Sequence, residues 1–373
     1  MFEKLNKKLG FGCMRLPMKD GEIDHVAFCE MIDAFMANGF NYFDTARGYH
    51  DGKSEIALCE CLVKRYPRES YILTDKLSGN FFKTEADVRP YFEDQLKVCG
   101  VDYFDFYLMH AQDAKGFEKY KKCRAYEQAL EFKAEGKIRH FGISFHDKAE
   151  VLDRILTEYP QIEVVQIQFN YADFEDPTVE SRKCYETCRR HGKPVIVMEP
   201  VKGGRLVNLP DAARNVLEEL NGGSVASYAI RFAASFEGII TVLSGMGNME
   251  MLSDNMSYMK DFKPLDQVEM QAIERVREIF KGQNLIPCTE CRYCTAGCPK
   301  GIQIPNIFAC LNGKRQWNDW SYGYYYSIHT SKDGTKASDC IGCGKCEDIC
   351  PQHLEIRKLL REAASEFEKK SEE

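Results

Sequence analysis

Apolar residues in the first three quarters of the chain follow two alternating rhythms. Short runs rich in β-branched and aromatic residues recur as LGFGCMRL (9–16), FNYFDT (40–45), SYILTDK (70–76), FDFYLMH (104–110), IRHFGIS (138–144), VVQIQFN (164–170), PVIVMEP (194–200) and IITVLSG (239–245). Continuous apolar runs of this length read as strands buried on both faces. Between them, apolar positions fall three and four apart at 25–38, 54–66, 84–99, 123–135, 147–158, 178–191 and 224–236, the spacing of amphipathic helices. Either 248–258 or 266–281 supplies an eighth helix. Eight strand–helix units predict an α/β fold in which a parallel sheet closes into a (β/α)8 TIM barrel. An open doubly wound sheet shares the alternation, but no G-x-G-x-x-G follows the first strand.

The rhythm stops near Gln283–Pro287, and cysteines begin. This divides the chain into a barrel over 1–285 and a small domain over 286–373. Of 17 cysteines, nine lie after residue 287. Cys288, Cys291, Cys294 and Cys298 form C-x2-C-x2-C-x3-C followed by Pro299; Cys340, Cys343, Cys346 and Cys350 repeat it before Pro351. Soft thiolates at these spacings suit iron–sulfur clusters. Paired zinc sites are the alternative, but they leave the Cys-Pro ending of both motifs unexplained. In two-cluster ferredoxins the fourth cysteine of each motif crosses to the other cluster. That pattern assigns Cys288, Cys291, Cys294 and Cys350 to one [4Fe–4S] cluster, and Cys340, Cys343, Cys346 and Cys298 to the second. The tail resembles a bacterial dicluster ferredoxin with an enlarged stretch, 299–339, between the motifs. That stretch carries Trp317, Trp320, Tyr322, Tyr324, Tyr325 and Tyr326. These aromatics would either pack the small domain onto the barrel or cover the barrel mouth. Cys310 and the remaining cysteines, Cys59 and Cys61 among them, read as ordinary core or surface thiols.

Composition narrows the function classes. A chain with 44% hydrophobic and 29% charged residues is a globular one, and a net charge of −7 disfavours a nucleic-acid binder that works by neutralising phosphates. No apolar run approaches the 18 to 20 residues of a membrane span. The basic start lacks the apolar stretch of a secretory signal, so a cytoplasmic protein is expected. The C-terminal positions Leu354, Ile356, Leu359, Leu360 and Phe367 predict an amphipathic helix that packs rather than binds a membrane. Gly52-Lys53-Ser54 fails as a phosphate-binding loop because Arg47 replaces the first glycine.

Catalytic groups of such barrels stand at the C-terminal ends of strands. Those ends carry Asp44, Lys76 and His110, with Tyr49 in the loop after Asp44. Singly, each has an ordinary structural explanation; four at adjacent strand ends fit carbonyl reduction. A tyrosine is close in acidity to the alcohol product and can protonate a developing alkoxide. Lys76 would lower its pKa, Asp44 would hold that lysine, and His110 would steer the substrate oxygen. His50, beside Tyr49, is either a substrate contact or a solvated loop residue.

The segments FDTARGY (43–49), TDK (74–76), YLMH (107–110) and GIS (142–144) resemble the aldo/keto reductase superfamily, in the order of its catalytic tetrad. With its tail, the chain is similar to the subgroup carrying a C-terminal dicluster [4Fe–4S] domain. The resemblance implies catalysis by Tyr49, with Asp44, Lys76 and His110 in support. It also implies a nicotinamide cofactor, NAD(P)H. Ser144 and Gln166 would hold its carboxamide. PVKGGRL (200–206), with Pro200, Gly203, Gly204 and Leu206, would cover the pyrophosphate. SGMGNMEMLSDN (244–255), from Ser244 to Asn255, would take the adenosine end. Phe145, Met198, and the pair Gly247 and Met251 depart from the residues common at these places. The last pair stands where Lys or Arg commonly grips a 2′-phosphate, so NADH is expected to bind at least as well as NADPH.

The expected activity is interconversion of a small-molecule aldehyde or ketone with its alcohol. An electron-transfer oxidoreductase, whose clusters serve a redox partner protein or the substrate, is the competing function. A non-catalytic ligand sensor is disfavoured by the intact tetrad. The sequence sets no oligomeric state.

Overall fold

In a computed structural model of the chain, described for residues 4–281, 285–288, 291–331, 335–350 and 352–368, two compact units are distinguished. One comprises the residues up to Glu175 together with Ser181–Arg275; the other comprises Asp176–Glu180 and the residues from Val276 onward. Gln283 and Pro351, at the expected boundary and the second Cys-Pro ending, lie outside the described residues. The structural division falls earlier than the change of pattern at 285–286. Phe280 explains part of this: it is buried and packs edge-on against Trp317, ring centres 4.7 Å apart.

The first unit is a closed parallel barrel. Its strands are β1 (Leu9–Gly12), β4 (Tyr42–Asp44), β5 (Ile72–Leu77), β6 (Phe104–Gln112), β7 (Ile138–Phe145), β8 (Val164–Gln168), β9 (Val195–Met198) and β10 (Ile239–Ser244), in the cyclic order β1-β10-β9-β8-β7-β6-β5-β4. A two-stranded hairpin, β2 (Met18–Lys19) and β3 (Glu22–Ile23), follows β1. All eight predicted strands are present, and their apolar runs are buried as expected. Tyr42, Ile72, Phe106, Leu108, Val164, Ile196 and Leu243 fill one cluster of the barrel core. Such layers make the barrel a packed support rather than a pore.

Local chemistry sets the helix ends. Asp24, Asp113, Ser224 and Asn248 each accept a first-turn amide N–H. The helix Glu85–Cys99 opens on a capping box of Thr84 with Asp87, and Gly100 closes it in the left-handed conformation. Two helices of this first unit go beyond the predicted set: Ala114–Lys122, before the predicted 123–135 segment, and Asp211–Glu218. The predicted 54–66 helix is present as Lys53–Leu58 continuing into a π-turn at Cys59–Val63. Beside that turn Cys61 is joined to Cys29 in a disulfide, Cα atoms 4.8 Å apart. This corrects the reading of Cys61 as an ordinary thiol; proximity across 32 residues is invisible to local spacing. Among the described residues no helix is long and apolar enough to cross a membrane.

The second unit is built on the helices Ile304–Trp317, Ser321–Ser331 and Ile356–Phe367. Its core gathers Ile302, Ile304, Ile307, Phe308, Leu311, Tyr325, Tyr326, Ile356 and Leu360. The aromatic insert therefore supplies core to its own unit: Tyr322, Tyr325 and Tyr326 are buried, while Trp320 is exposed. Cys310 is buried, and the last helix turns Ile356 and Leu360 inward as its spacing predicted, with Ala363 beside them.

Candidate functional site

Strand register brings the four expected catalytic residues together. Asp44 ends β4, Lys76 and His110 stand near the ends of β5 and β6, and Tyr49 rises from the loop beyond Asp44. The buried Lys76 ammonium has three acceptors: Asp44 Oδ1 at 2.5 Å, the Thr45 carbonyl at 2.8 Å and the Tyr49 hydroxyl at 3.1 Å. Donation to the phenolic oxygen leaves the Tyr49 proton free to go elsewhere. Gln166 Nε2 donates to Asp44 Oδ2 at 3.0 Å, so both carboxylate oxygens are bonded. Neighbouring elements hold the loop in place. Arg47 Nε donates to Glu55 at 2.6 Å, while Gln95 donates to both Glu55 and the Lys76 carbonyl, at 3.0 and 3.1 Å. The Glu55 side chain is wholly buried. Ser54 is buried between the Thr45 hydroxyl and the Cys13 carbonyl.

Charge is set by competition between burial and neighbours. Burial pushes the Tyr49 hydroxyl above the ordinary value of 10, Lys76 pulls it down and Asp44 pushes it up. The expected depression by Lys76 is thus present but outweighed. The Tyr49 side chain is only partly covered at the surface, so solvent at the mouth moderates the burial effect. Burial works against the Lys76 charge, but Asp44 and Tyr49 more than offset it and hold the ammonium above its usual range. Burial likewise raises Asp44, against Lys76 and Gln166, which both favour the carboxylate. His110 lies well below 6.5, first through burial, then through the Lys76 charge and the neighbouring His146, so it is neutral at pH 7.

Three side chains at this end of the barrel were not anticipated. Ser78 is buried with its Oγ 2.6 Å from His110 Nδ1. His146, after β7, is pushed down to about 4 by burial and by Lys76. Arg15 lays the carbons of its side chain over Gly245, at 3.3 to 3.5 Å from where a Cβ would stand. No motif marks any of them; each is found only through strand register. His50 is accounted for differently, since its Nε2 accepts the Leu16 amide at 3.3 Å.

The residues expected to meet a cofactor divide into two groups. Ser144 and Gln166 are register partners on β7 and β8, and the buried Ser144 Oγ makes no hydrogen bond among the described residues. An unsatisfied hydroxyl beside an amide side chain fits a carboxamide, which offers both a donor and an acceptor. Gly203 and Gly204 are left-handed, φ 64° and 97°, and a Cβ on Gly204 would meet nothing within 4 Å. That is an open backbone suited to close approach by a pyrophosphate. Pro200 and Leu206 are buried, so the Leu206 side chain belongs to the core. Ser244 and Asn255 are brought together, Asn255 Nδ2 donating to Ser244 Oγ at 2.6 Å and Oδ1 accepting from Tyr258 at 2.6 Å.

In the second unit the two cysteine motifs fold alike, each with a single helical turn, Tyr293–Ala296 and Lys345–Asp348, two residues after its second cysteine. One cavity is lined by Cys288, Cys291, Cys294 and Cys350, and another by Cys298, Cys340, Cys343 and Cys346; Ile304 is a wall of both. The fourth cysteine of each motif thus faces the other motif's cavity. Burial pushes the Cys294 thiol up, and the nearby sulfurs of Cys288, Cys291 and Cys350 add to this. A donor set of four sulfurs in an apolar cavity fits an iron–sulfur cluster.

Comparison with known proteins agrees with this architecture. Residues 8–278 match the model of the aldo/keto reductase family, and residues 287–354 match a 4Fe-4S dicluster domain. The NADH-specific methylglyoxal reductase of Escherichia coli is 26% identical over 219 residues, which cover 53% of this chain and 65% of that protein. The holo form of an aldo-keto reductase from Bacillus halodurans superposes with a TM-score of 0.59 at 25% identity, covering 73% of this chain and 92% of that one. An aldo-keto reductase from Klebsiella pneumoniae in complex with NADPH gives a TM-score of 0.59 at 19% identity, covering 73% and 95%, a likeness of fold. A family match spanning most of the chain, over a closed barrel with this tetrad at its mouth, shows that the chain belongs to the aldo/keto reductase family and carries a C-terminal 4Fe-4S dicluster domain.

Proposed function

We propose that the barrel is a nicotinamide-dependent oxidoreductase that reduces a small-molecule aldehyde or ketone to its alcohol, or runs the reverse reaction. The observation that carries this is the buried Lys76 ammonium, bonded at once to Asp44 and to the Tyr49 hydroxyl. When bound, the nicotinamide supplies a hydride for the carbonyl carbon. Tyr49 then gives its proton to the substrate oxygen, and Lys76 stabilises the phenolate left behind. Asp44 keeps Lys76 charged and aimed, with Gln166 fixing the far side of that carboxylate. His110 offers an N–H to the same oxygen. Ser144 and Gln166 hold the carboxamide, Pro200 to Leu206 lie along the pyrophosphate, and Ser244 to Asn255 take the adenosine. The absence of Lys and Arg from 244–255 supports NADH binding at least as well as NADPH, as does the NADH-specific relative. Arg15 beside Gly245 is the cation that could counter this.

The eight cysteines hold two [4Fe–4S] clusters in the crossed arrangement. A second reading, in which the clusters trade electrons with a redox partner or the substrate, draws on the exposure of Cys291 and Cys343. Tyr49→Phe tests the first. Turnover of methylglyoxal should fall at least a hundredfold while nicotinamide binding persists, because the lost hydroxyl acts mainly in the transition state. Near-normal turnover by this variant would remove Tyr49 as the proton donor.

A further inference from the structure

Building on the carbonyl-reductase reading, we propose that Ser78 is a positioning residue that holds His110 in the neutral tautomer with its Nε2–H turned to the substrate oxygen. An imidazole kept neutral carries one N–H, and that proton can sit on either nitrogen. A hydrogen-bond donor toward a carbonyl is available only if the proton lies on the nitrogen facing the substrate. The wrong tautomer would present a lone pair to a lone pair. Something must therefore choose.

The groups around His110 leave Ser78 in that role. Ser78 Oγ is 2.6 Å from Nδ1, which commits that nitrogen and leaves Nε2 for the mouth. The main chain of His110 is pinned separately: the Tyr120 hydroxyl lies 3.1 Å from its carbonyl and 2.6 Å from that of Leu77. Lys76 on β5 and His146 after β7 are the charged or titratable groups acting on the ring, and both disfavour a second proton on it. The Tyr49 ring stands edge-on, 6.1 Å between ring centres.

The direction of the hydrogen bond follows from the Ser78 proton. Ser78 is buried, its hydroxyl is bonded to His110 Nδ1, and the buried Tyr91 hydroxyl makes no hydrogen bond with it among the described residues. Were Nδ1–H to donate to Ser78, the Ser78 proton would be left in the interior without an acceptor. With Ser78 donating to Nδ1, that proton is satisfied and the imidazole's own proton sits on Nε2. A stranded buried donor is the costlier outcome. Ser78 thereby acts on the reaction through His110, without touching substrate.

The test combines nitrogen NMR of protein labelled with 15N-histidine and steady-state kinetics with methylglyoxal, the His110 signals being identified by their loss in His110→Asn. Native protein should show an unprotonated Nδ1 and a protonated Nε2 at His110. Ser78→Ala should give a mixture of tautomers and lower kcat about tenfold, with a smaller change in KM; Ser78→Thr should restore both. Protonated Nδ1 in the native protein, or a native spectrum and kcat in Ser78→Ala, would overturn the proposal. If the native tautomer is as stated and Ser78→Ala disturbs it, but no carbonyl turns over, then the carbonyl-reductase reading has failed and the Ser78 assignment has not.

Discussion

At the barrel mouth, Asp44, Tyr49, Lys76, His110 and Gln166 come from four strands and a loop, with Asp44 and Gln166 in contact across 122 residues of chain. In the second unit, three of each four cysteines fall within a seven-residue segment, and only the fourth arrives from the other motif. The two sites also differ in what holds them. The mouth is arranged by strand register and completed by its own hydrogen bonds, so it needs no bound group to exist. The cysteine cavities lie within the small unit's core, where Cys294 and Cys346 are buried and the other cavity cysteines that pack against that core are half-buried. A ligand set there doubles as a folding element. A site built on register tolerates an empty state; a site built into a core depends on its occupant.

The largest expected effect tests that contrast. Chelating the iron under anaerobic conditions should open the second unit to protease and remove its helices, while the barrel keeps its own unfolding transition. Equal loss of both would contradict it. Native protein should carry about eight iron and eight sulfide per chain, and Cys298→Ser should reduce this to about four. The surviving spectrum should be that of the cluster on Cys288, Cys291 and Cys294; loss of that one instead would undo the crossed assignment.

The next effect sharpens the account of the mouth. Lys76→Met alone would leave Asp44 buried without its cation, which costs about 3 to 5 kcal/mol for a broken buried pair. The double variant Lys76→Met/Asp44→Asn avoids that. Lys76 pulls the Tyr49 pKa down by more than Asp44 pushes it up, so removing both still lets that pKa rise further. Alcohol oxidation needs the phenolate and accelerates as pH climbs toward that pKa; the rising limb should therefore move to higher pH in the double variant. An unmoved limb would mean that Tyr49 is not the titrating group.

The smallest effect concerns the cofactor. If Arg15 reaches a 2′-phosphate, Arg15→Met should weaken NADPH about tenfold, or 1.4 kcal/mol, and leave NADH unchanged, with the difference shrinking as salt rises. Equal binding of both cofactors before and after the substitution would leave 244–255 as the whole adenosine site.

Legibility in the sequence followed the same divide. The cysteine sets could be read from spacing because their grouping is local. The eight strands could be read because a buried parallel strand is a continuous apolar run, and the tetrad because strand ends are marked by where those runs stop. The helix Asp211–Glu218 carried a usable signal, Pro210 before apolar Ala213, Val216 and Leu217 at helical spacing. The helix Ala114–Lys122 hid its two buried aromatics, Phe117 and Tyr120, among lysines. Ser78, His146 and Arg15 had no signal, since their places depend on which strands lie side by side and on side chains crossing between them. The balance of burial against charge at Tyr49 is of that kind too: the neighbour was foreseeable, its being outweighed was not.

The central claim is that hydride passes directly between cofactor and substrate at the Tyr49 site, and deuterium tracing tests it most directly. Anaerobic protein would be given methylglyoxal and NADH carrying deuterium at the transferable position, with the cluster absorbance followed during turnover. The account predicts one deuterium on the new carbinol carbon of each product molecule and clusters that keep their oxidation state, with Tyr49→Phe abolishing both product and label. Product formed without deuterium, in step with bleaching of the clusters, would contradict it.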